Sequence, residues 1–180
     1  SFFEGTCPGG GTCNFGSPPG DFSTLSQVGS SYQRRFSDGT TLNFTVDGRQ
    51  SSSVDIYGNT TSFGYDGSNR LVSIQDPTSH SITLAYDPGG TGWKAGSLSQ
   101  ITSPGLSGTR TTTLHVDGSN HLRQIIDPDG IVNLAADYGV DHRLSHRKDR
   151  RGGDWNYSYT PDSSAASVLE PTVTIGGDGT

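Results

Sequence analysis

His142 and His146 stand four residues apart in "HRLSH", a spacing at which two imidazoles on one helix face can hold zinc. The glutamate that a metalloprotease helix places between them is missing, and the segment alternates like a strand. A Ser-His-Asp triad needs no fixed spacing, and serine is abundant, but no Gly-x-Ser-x-Gly elbow occurs. Glutamate appears only at Glu4 and Glu170, so a glycosidase pair would have to be built from Asp. Asp38-Gly39, Asp47-Gly48, Asp66-Gly67, Asp117-Gly118 and Asp129-Gly130 offer hard oxygens for calcium. None lies in an alternating-Asp loop or a Gly-Gly nonapeptide, and hairpin turns account for them without an ion. The expectation is no catalytic residue, no metal and no cofactor.

Aromatic and basic residues crowd "HRLSHRKDRRGGDWNYSY". Trp155, Tyr157 and Tyr159, with Trp93 elsewhere, form a candidate glycan contact, since aromatic faces stack on sugars and basic groups sit beside them. A solvated turn followed by a half-buried strand accounts for the same residues. The basic cluster is also suited to acidic turns of a neighbouring copy. A formal charge of −6 and a pI near 5.1 argue against general affinity for nucleic acid or an anionic membrane surface. No apolar run reaches the length of a membrane helix.

Asn43, Asn59 and Asn156 each open an Asn-x-Ser/Thr sequon, which matters where secreted chains are glycosylated. Cys7 and Cys13 lie in "CPGGGTC", and the Gly-rich spacer predicts a disulfide and an oxidising compartment. The chain has no Met, which is expected of a processed chain or a fragment.

The elements that position these residues are repeated. "DGSNRLVSIQDP" from Asp66 returns 51 residues later as "DGSNHLRQIIDP" from Asp117. Alternating apolar residues precede a series of aspartates: Leu42, Phe44 and Val46 before Asp47; Phe63 and Tyr65 before Asp66; Ile82, Leu84 and Tyr86 before Asp87. Leu114 and Val116 precede Asp117, and Leu134, Ala136, Tyr138 and Val140 precede Asp141. Trp155, Tyr157 and Tyr159 precede Asp162. Each pattern predicts a strand with one apolar face, ended by turn chemistry. The anchors are 19, 21, 30, 24 and 21 residues apart, the longest interval holding the insertion "PGGTGWKAG" from Pro88 to Gly96. About 20 residues suit two short strands and two turns, and such a period predicts units that bury oily side chains on their neighbours. "LVSI", "LSQI" and "LRQI" supply the second strand in three units. Their Leu and Ile are three apart, which requires either a bulge or burial on both faces. Helix signals are nearly absent, and Gly139 argues against a helix in "IVNLAADYGV".

A Tyr-Asp step followed by Arg-Leu and then Asp-Pro resembles the YD repeat of the rearrangement-hot-spot (Rhs) family. "YDGSNRLVSIQDP" is similar to a full copy; Tyr86-Asp87, "VDGSNHLRQIIDPDG" and "YGVDHRLSHRKDRRG" are similar to degenerate ones. The resemblance covers residues 32–162. It implies an exported or cell-surface, β-rich protein: a shell around a toxin in large members, an adhesion protein in others. About six units are fewer than a shell is expected to need, and neither a shell nor a toxin domain is expected here. The fold expected is all-β: stacked two-stranded YD-type repeats in an open, twisted β-sheet or solenoid, spanning residues 31–162 after a Gly/Pro/Ser-rich segment, residues 1–30.

Residues 163–180 carry one clean strand, "PTVTIGG", with Val173 and Ile175 on one face. Open sheet edges recruit strands, and a strand given to the next copy, head to tail, builds a filament. The leading expectation is an extracellular, non-enzymatic structural or adhesive protein that polymerises with copies of itself. A carbohydrate-binding module and a piece of a larger Rhs-type shell stay open as alternatives.

Overall fold

The turns set this fold. In Asp66-Gly67-Ser68-Asn69-Arg70, the Asp66 N–H donates to the Arg70 carbonyl at 2.9 Å and the Asn69 N–H to the Asp66 carbonyl at 2.9 Å. The same two bonds close Phe36–Thr40, Thr45–Arg49, Asp55–Asn59, Asp76–His80, Asp117–His121, Asp127–Ile131, Gly139–Arg143 and Asp149–Gly153. This is the hairpin loop whose fourth residue must take a left-handed backbone. Glycine meets that demand at Gly48 (φ 78°) and Gly130 (φ 81°), whereas Asn69, Ser79, Asn120 and His142 meet it at 65–71°. Asp-Gly steps therefore occupy two registers: Asp47-Gly48 fills the third and fourth places of its turn, Asp66-Gly67 the first and second. The turn that holds Asp141 begins at Gly139, with Asp141 in its third place. Counted from true first residues (Thr45, Asp66, Asp87, Asp117, Gly139), the period is 21, 21, 30 and 22. The insertion is closed by the same pair of bonds, from Asp87 N–H to the Ser97 carbonyl and from Gly96 N–H to the Asp87 carbonyl, both 2.8 Å.

Between these turns run the strands. The computed structural model describes residues 13–161 and 169–176, and those residues form only strands and turns. Two compact units divide within β8 (Ser81–Tyr86), residues 1–83 and 84–180. The first carries β1 (Cys13–Phe15), β2 (Thr24–Val28), β3 (Ser31–Arg35), β4 (Thr41–Phe44), β5 (Gln50–Val54), β6 (Thr60–Tyr65), β7 (Leu71–Gln75) and the start of β8. The second carries the rest of β8, then β9 (Leu98–Gly105), β10 (Gly108–Val116), β11 (Leu122–Ile126) and β12 (Val132–Tyr138). It continues through β13 (Leu144–Asp149), β14 (Asp154–Pro161) and β15 (Leu169–Gly176). In each unit the strands follow chain order in an open antiparallel sheet, as short hairpin loops dictate. The all-β, open reading of the sequence holds, and "IVNLAADYGV" is strand β12.

The two faces differ. In the first unit Ser26, Gln33, Asn43, Ser52, Ser62, Gln75 and Ser81 are successive cross-strand partners and make one polar row. Gln33 Nε2 donates to Asn43 Oδ1 at 3.0 Å, and Asn43 Nδ2 to Ser52 Oγ at 2.9 Å. On the opposite face Phe63 pairs with Ile74, Ile74 with Ile82, and Tyr65 with Leu71. In the second unit Leu114 pairs with Ile125 and Ile125 with Leu134. Repeats thus join edge to edge through hydrogen-bonded ladders. They do not bury a deep core: among the described residues Ala136 is 4 % exposed and Pro18 is buried, but no large apolar side chain is, and Ile82 remains 38 % exposed.

The Leu-x-x-Ile spacing is resolved by a bulge. Tyr65 pairs with Leu71, but its neighbour Gly64 pairs with Ser73, so Leu71 and Val72 together oppose one residue. Leu71 and Ile74 therefore lie on one face, opposite Tyr65 and Phe63. The same slip follows the turns at Thr45, Asp117 and Gly139, with Phe44 against Gln50, Val116 against Leu122 and Tyr138 against Leu144. Turns at Phe36, Asp55, Asp76 and Asp149 have no slip. With one exception, at Ile126 and Val132, bulges belong to the Tyr-Asp side of the repeat.

The ends bear on two expectations. Cys7 lies outside the described residues, and Cys13 is not a free thiol. The strand holding Val173 and Ile175 exists as β15, but it pairs along its length with β14 of its own chain, Tyr157 opposite Val173 and Trp155 opposite Ile175. Its eight residues complete their own sheet, so they are not a strand given away.

Candidate functional site

The bulge creates the most regular feature of the molecule. Tyr65 Oη donates to the carbonyl of Gln50 at 2.9 Å, Tyr138 Oη to Leu122 at 3.2 Å, and Tyr159 Oη to Leu144 at 2.9 Å. Each acceptor is the first bulge residue of the preceding repeat, whose carbonyl the irregular ladder leaves to other donors. The residue just before each acceptor lies against the ring of the same tyrosine. Arg49 sits 5.6 Å from the Tyr65 centroid, Arg143 sits 5.4 Å from that of Tyr159, and His121 stacks on Tyr138 at 4.3 Å and 10°. Tyrosine thus clasps a basic residue and the residue after it one repeat back, Leu122 and Leu144 in two cases and Gln50 in the third, through its hydroxyl and its ring face. The sequence reading found these residues as a motif but not their contact, because partners lie 15 or 16 residues apart.

Aspartate fixes the other half. Asp66 Oδ1 accepts the N–H groups of Ser68 and Arg70, each at 2.9 Å, while Oδ2 accepts Arg70 Nε at 2.8 Å. Asp117 does the same for Ser119 and His121, with Oδ2 3.2 Å from His121 Nδ1. Both carboxyls are held below the ordinary value of 3.8, chiefly by the backbone N–H of Arg70 and of His121 respectively. Asp55 is lowered chiefly by the Asn59 amide, and Asp76 chiefly by the Thr78 hydroxyl. These oxygens are committed to their own turns, the hairpin account of the Asp-Gly steps.

On the polar face of the second unit Asp137, His146 and Asp154 form a bridge across three strands. His146 Nδ1 lies 3.1 Å from Asp137 Oδ2 and Nε2 lies 2.5 Å from Asp154 Oδ1; Arg123 also binds Asp137. The His146 pKa is raised above 6.5, chiefly by the Asp154 hydrogen bond and then by Asp137. Both ring nitrogens lie against carboxylates, an arrangement that favours the protonated imidazole.

These shifts predict a pH profile. The depressed carboxyls contribute stability that is present above 3.8 and lost as pH falls through their folded values. The raised imidazole contributes stability that is full below 6.5 and lost as pH rises through its folded value. Urea midpoints measured from pH 2 to 9 should therefore be highest between those limits. His146→Gln should flatten the alkaline side alone; an unchanged alkaline slope in that variant would show the bridge does not contribute.

The candidate glycan contacts are dispersed and partnered. Trp93 stacks on His115 at 4.3 Å, Arg147 covers Trp155 at 5.0 Å, and Tyr159 is held in the clasp; each is half-buried, as is Tyr157. Phe22 and Tyr57, which sequence reasoning passed over, are far more open, 84 % and 83 % exposed. Of the sequon residues, Asn43 is engaged in the polar row, Asn59 is exposed with Nδ2 donating to Asp55 Oδ2 at 2.8 Å, and Asn156 is exposed on β14. The basic cluster meets acidic groups of its own chain: Arg150 pairs with Asp127 and Asp129. Among the described residues no group of three or more His, Cys, Asp or Glu is placed to hold a metal. In comparison with known proteins, no family model matches this chain and no curated sequence matches it.

Proposed function

We propose that this chain is an extracellular, non-enzymatic structural and adhesive protein of the YD-repeat type, which assembles with copies of itself into filaments. The observation that carries the reading is the clasp. The Tyr of the motif reaches back to the two residues that close the preceding turn, while the Asp fixes its own turn, and contacts between neighbouring repeats are how an array gains stability without a deep core. Three clasps in register with three bulges are a physical reason for the motif, independent of resemblance.

Assembly is assigned to the sheet edges. β1 opens the strand order of its unit and β15 ends that of its own, so each has one ladder edge with no partner strand among the described residues. Pairing β15 of one copy with β1 of the next extends the sheet head to tail without a strand leaving its own chain. Negative-stain microscopy and light scattering across a concentration series test this. Filaments that disappear when Thr172 and Thr174 are both replaced by Lys support it, since edge charges block pairing. Dispersed single particles of the unaltered chain at every concentration overturn it. The alternative of a larger Rhs-type winding draws on the same clasp. The glycan reading has less support, because the rings of Trp93, Trp155 and Tyr159 already face partners in the chain.

A further inference from the structure

Two turns depart from the Gly or Asn of their siblings, at Ser79 and at His142. The fourth turn position calls for a left-handed backbone, and His142 occupies it at φ 65° where most other turns use Gly or Asn. A non-Gly residue there costs roughly 1 kcal/mol, and strain of this kind is a pointer to function. The imidazole so placed meets another: His142 Nδ1 lies 2.8 Å from His121 Nε2, with ring centroids 5.0 Å apart at 49°. His121 is itself fixed, stacked on Tyr138 and held at Nδ1 by Asp117 Oδ2, 3.2 Å away. A carboxylate only accepts, so Nδ1 of His121 carries the proton and its Nε2 presents a lone pair toward His142.

We propose that His121 and His142 form a two-imidazole site for a divalent transition-metal ion, copper(II) or nickel(II) in preference to zinc. Two nitrogens bound at about 2.0–2.1 Å on adjacent corners of a square lie about 2.9 Å apart, close to the separation already present. His142 moves its proton from Nδ1 to Nε2, so both lone pairs face the ion with no net change in protons when both rings are neutral. Asp117 stands where the outer partner of a metal-bound imidazole stands, accepting from the nitrogen opposite the ion. No third protein donor converges there among the described residues, so water takes the remaining positions. The site joins the Asp117 turn to the Gly139 turn, one repeat apart, beside the Tyr138 clasp. It does not depend on the assembly proposed above.

Calorimetric titration of the full chain with copper(II), nickel(II), zinc(II) and magnesium chlorides tests the site. One saturable equivalent is expected, tightest for copper, weaker for nickel and zinc, and absent for magnesium. His142→Gly suits the positive φ, so the turn survives, and it should weaken copper binding by at least tenfold; Asp117→Asn should weaken it by about tenfold. The copper complex should show coupling to two imidazole nitrogens by electron spin resonance. Absence of saturable binding, copper affinity unchanged in His142→Gly, or loss on His146→Gln instead would each overturn the proposal.

Discussion

Tyr138→Ala is expected to lower unfolding free energy by about 2–3 kcal/mol, and Tyr138→Phe by about 1 kcal/mol. The larger change removes a half-buried ring, the stacking partner of His121, and the hydroxyl that bonds the Leu122 carbonyl; the smaller removes the hydroxyl alone. A sheet with so little buried apolar surface has few other sources of stability, so losses of this size are large against a total of about 5–15 kcal/mol. Urea denaturation of both variants and of His121→Ala, combined in a double-mutant cycle, should give a Tyr138–His121 coupling of about 0.5–1.5 kcal/mol. Additive single changes would mean that stacking contributes nothing. A Phe variant as damaging as Ala would place the whole effect in the hydroxyl.

Gly153→Ala should cost about 1–3 kcal/mol, although an added methyl is ordinarily harmless in an exposed turn. A Cβ at Gly153 would fall 2.4 Å from the Trp155 ring, with two more ring carbons at 3.0 Å, so the indole must move. Moving it takes the ring from under Arg147, 5.0 Å away in the native arrangement. Trp155 is one of only two tryptophans, so its emission reports the displacement directly. Loss of stability with a red-shifted emission is expected. A neutral variant with unchanged fluorescence would mean that Trp155 is not seated on Gly153, and would restore it as an open platform for a sugar.

Sequence by itself determined the local grammar. Period-2 runs such as Phe63 and Tyr65 placed strands, and Asp, Gly and Asn placed turns, because both signals act over a few residues. It also determined that hairpins follow one another in order, since loops this short allow nothing but antiparallel neighbours. Turn register was less legible: Asp66-Gly67 and Asp47-Gly48 look alike, yet only the second glycine carries the left-handed backbone, and Asn69 performs that task in the first turn. The choice between a bulge and two-sided burial for Leu71 and Ile74 needed the partner strand, because a bulge is a relation between two strands.

Tertiary structure alone decided what the motif is for. Tyr138 reaches a carbonyl 16 residues back, His121 meets His142 across 21 residues, and Arg150 meets Asp127 across 23. Nothing in local propensity links such positions; they become neighbours because each hairpin returns the chain to the same sheet edge one repeat further on. The commitment of β15 to β14 is of the same kind, since a strand's partner is set by what lies beside it after the sheet has formed.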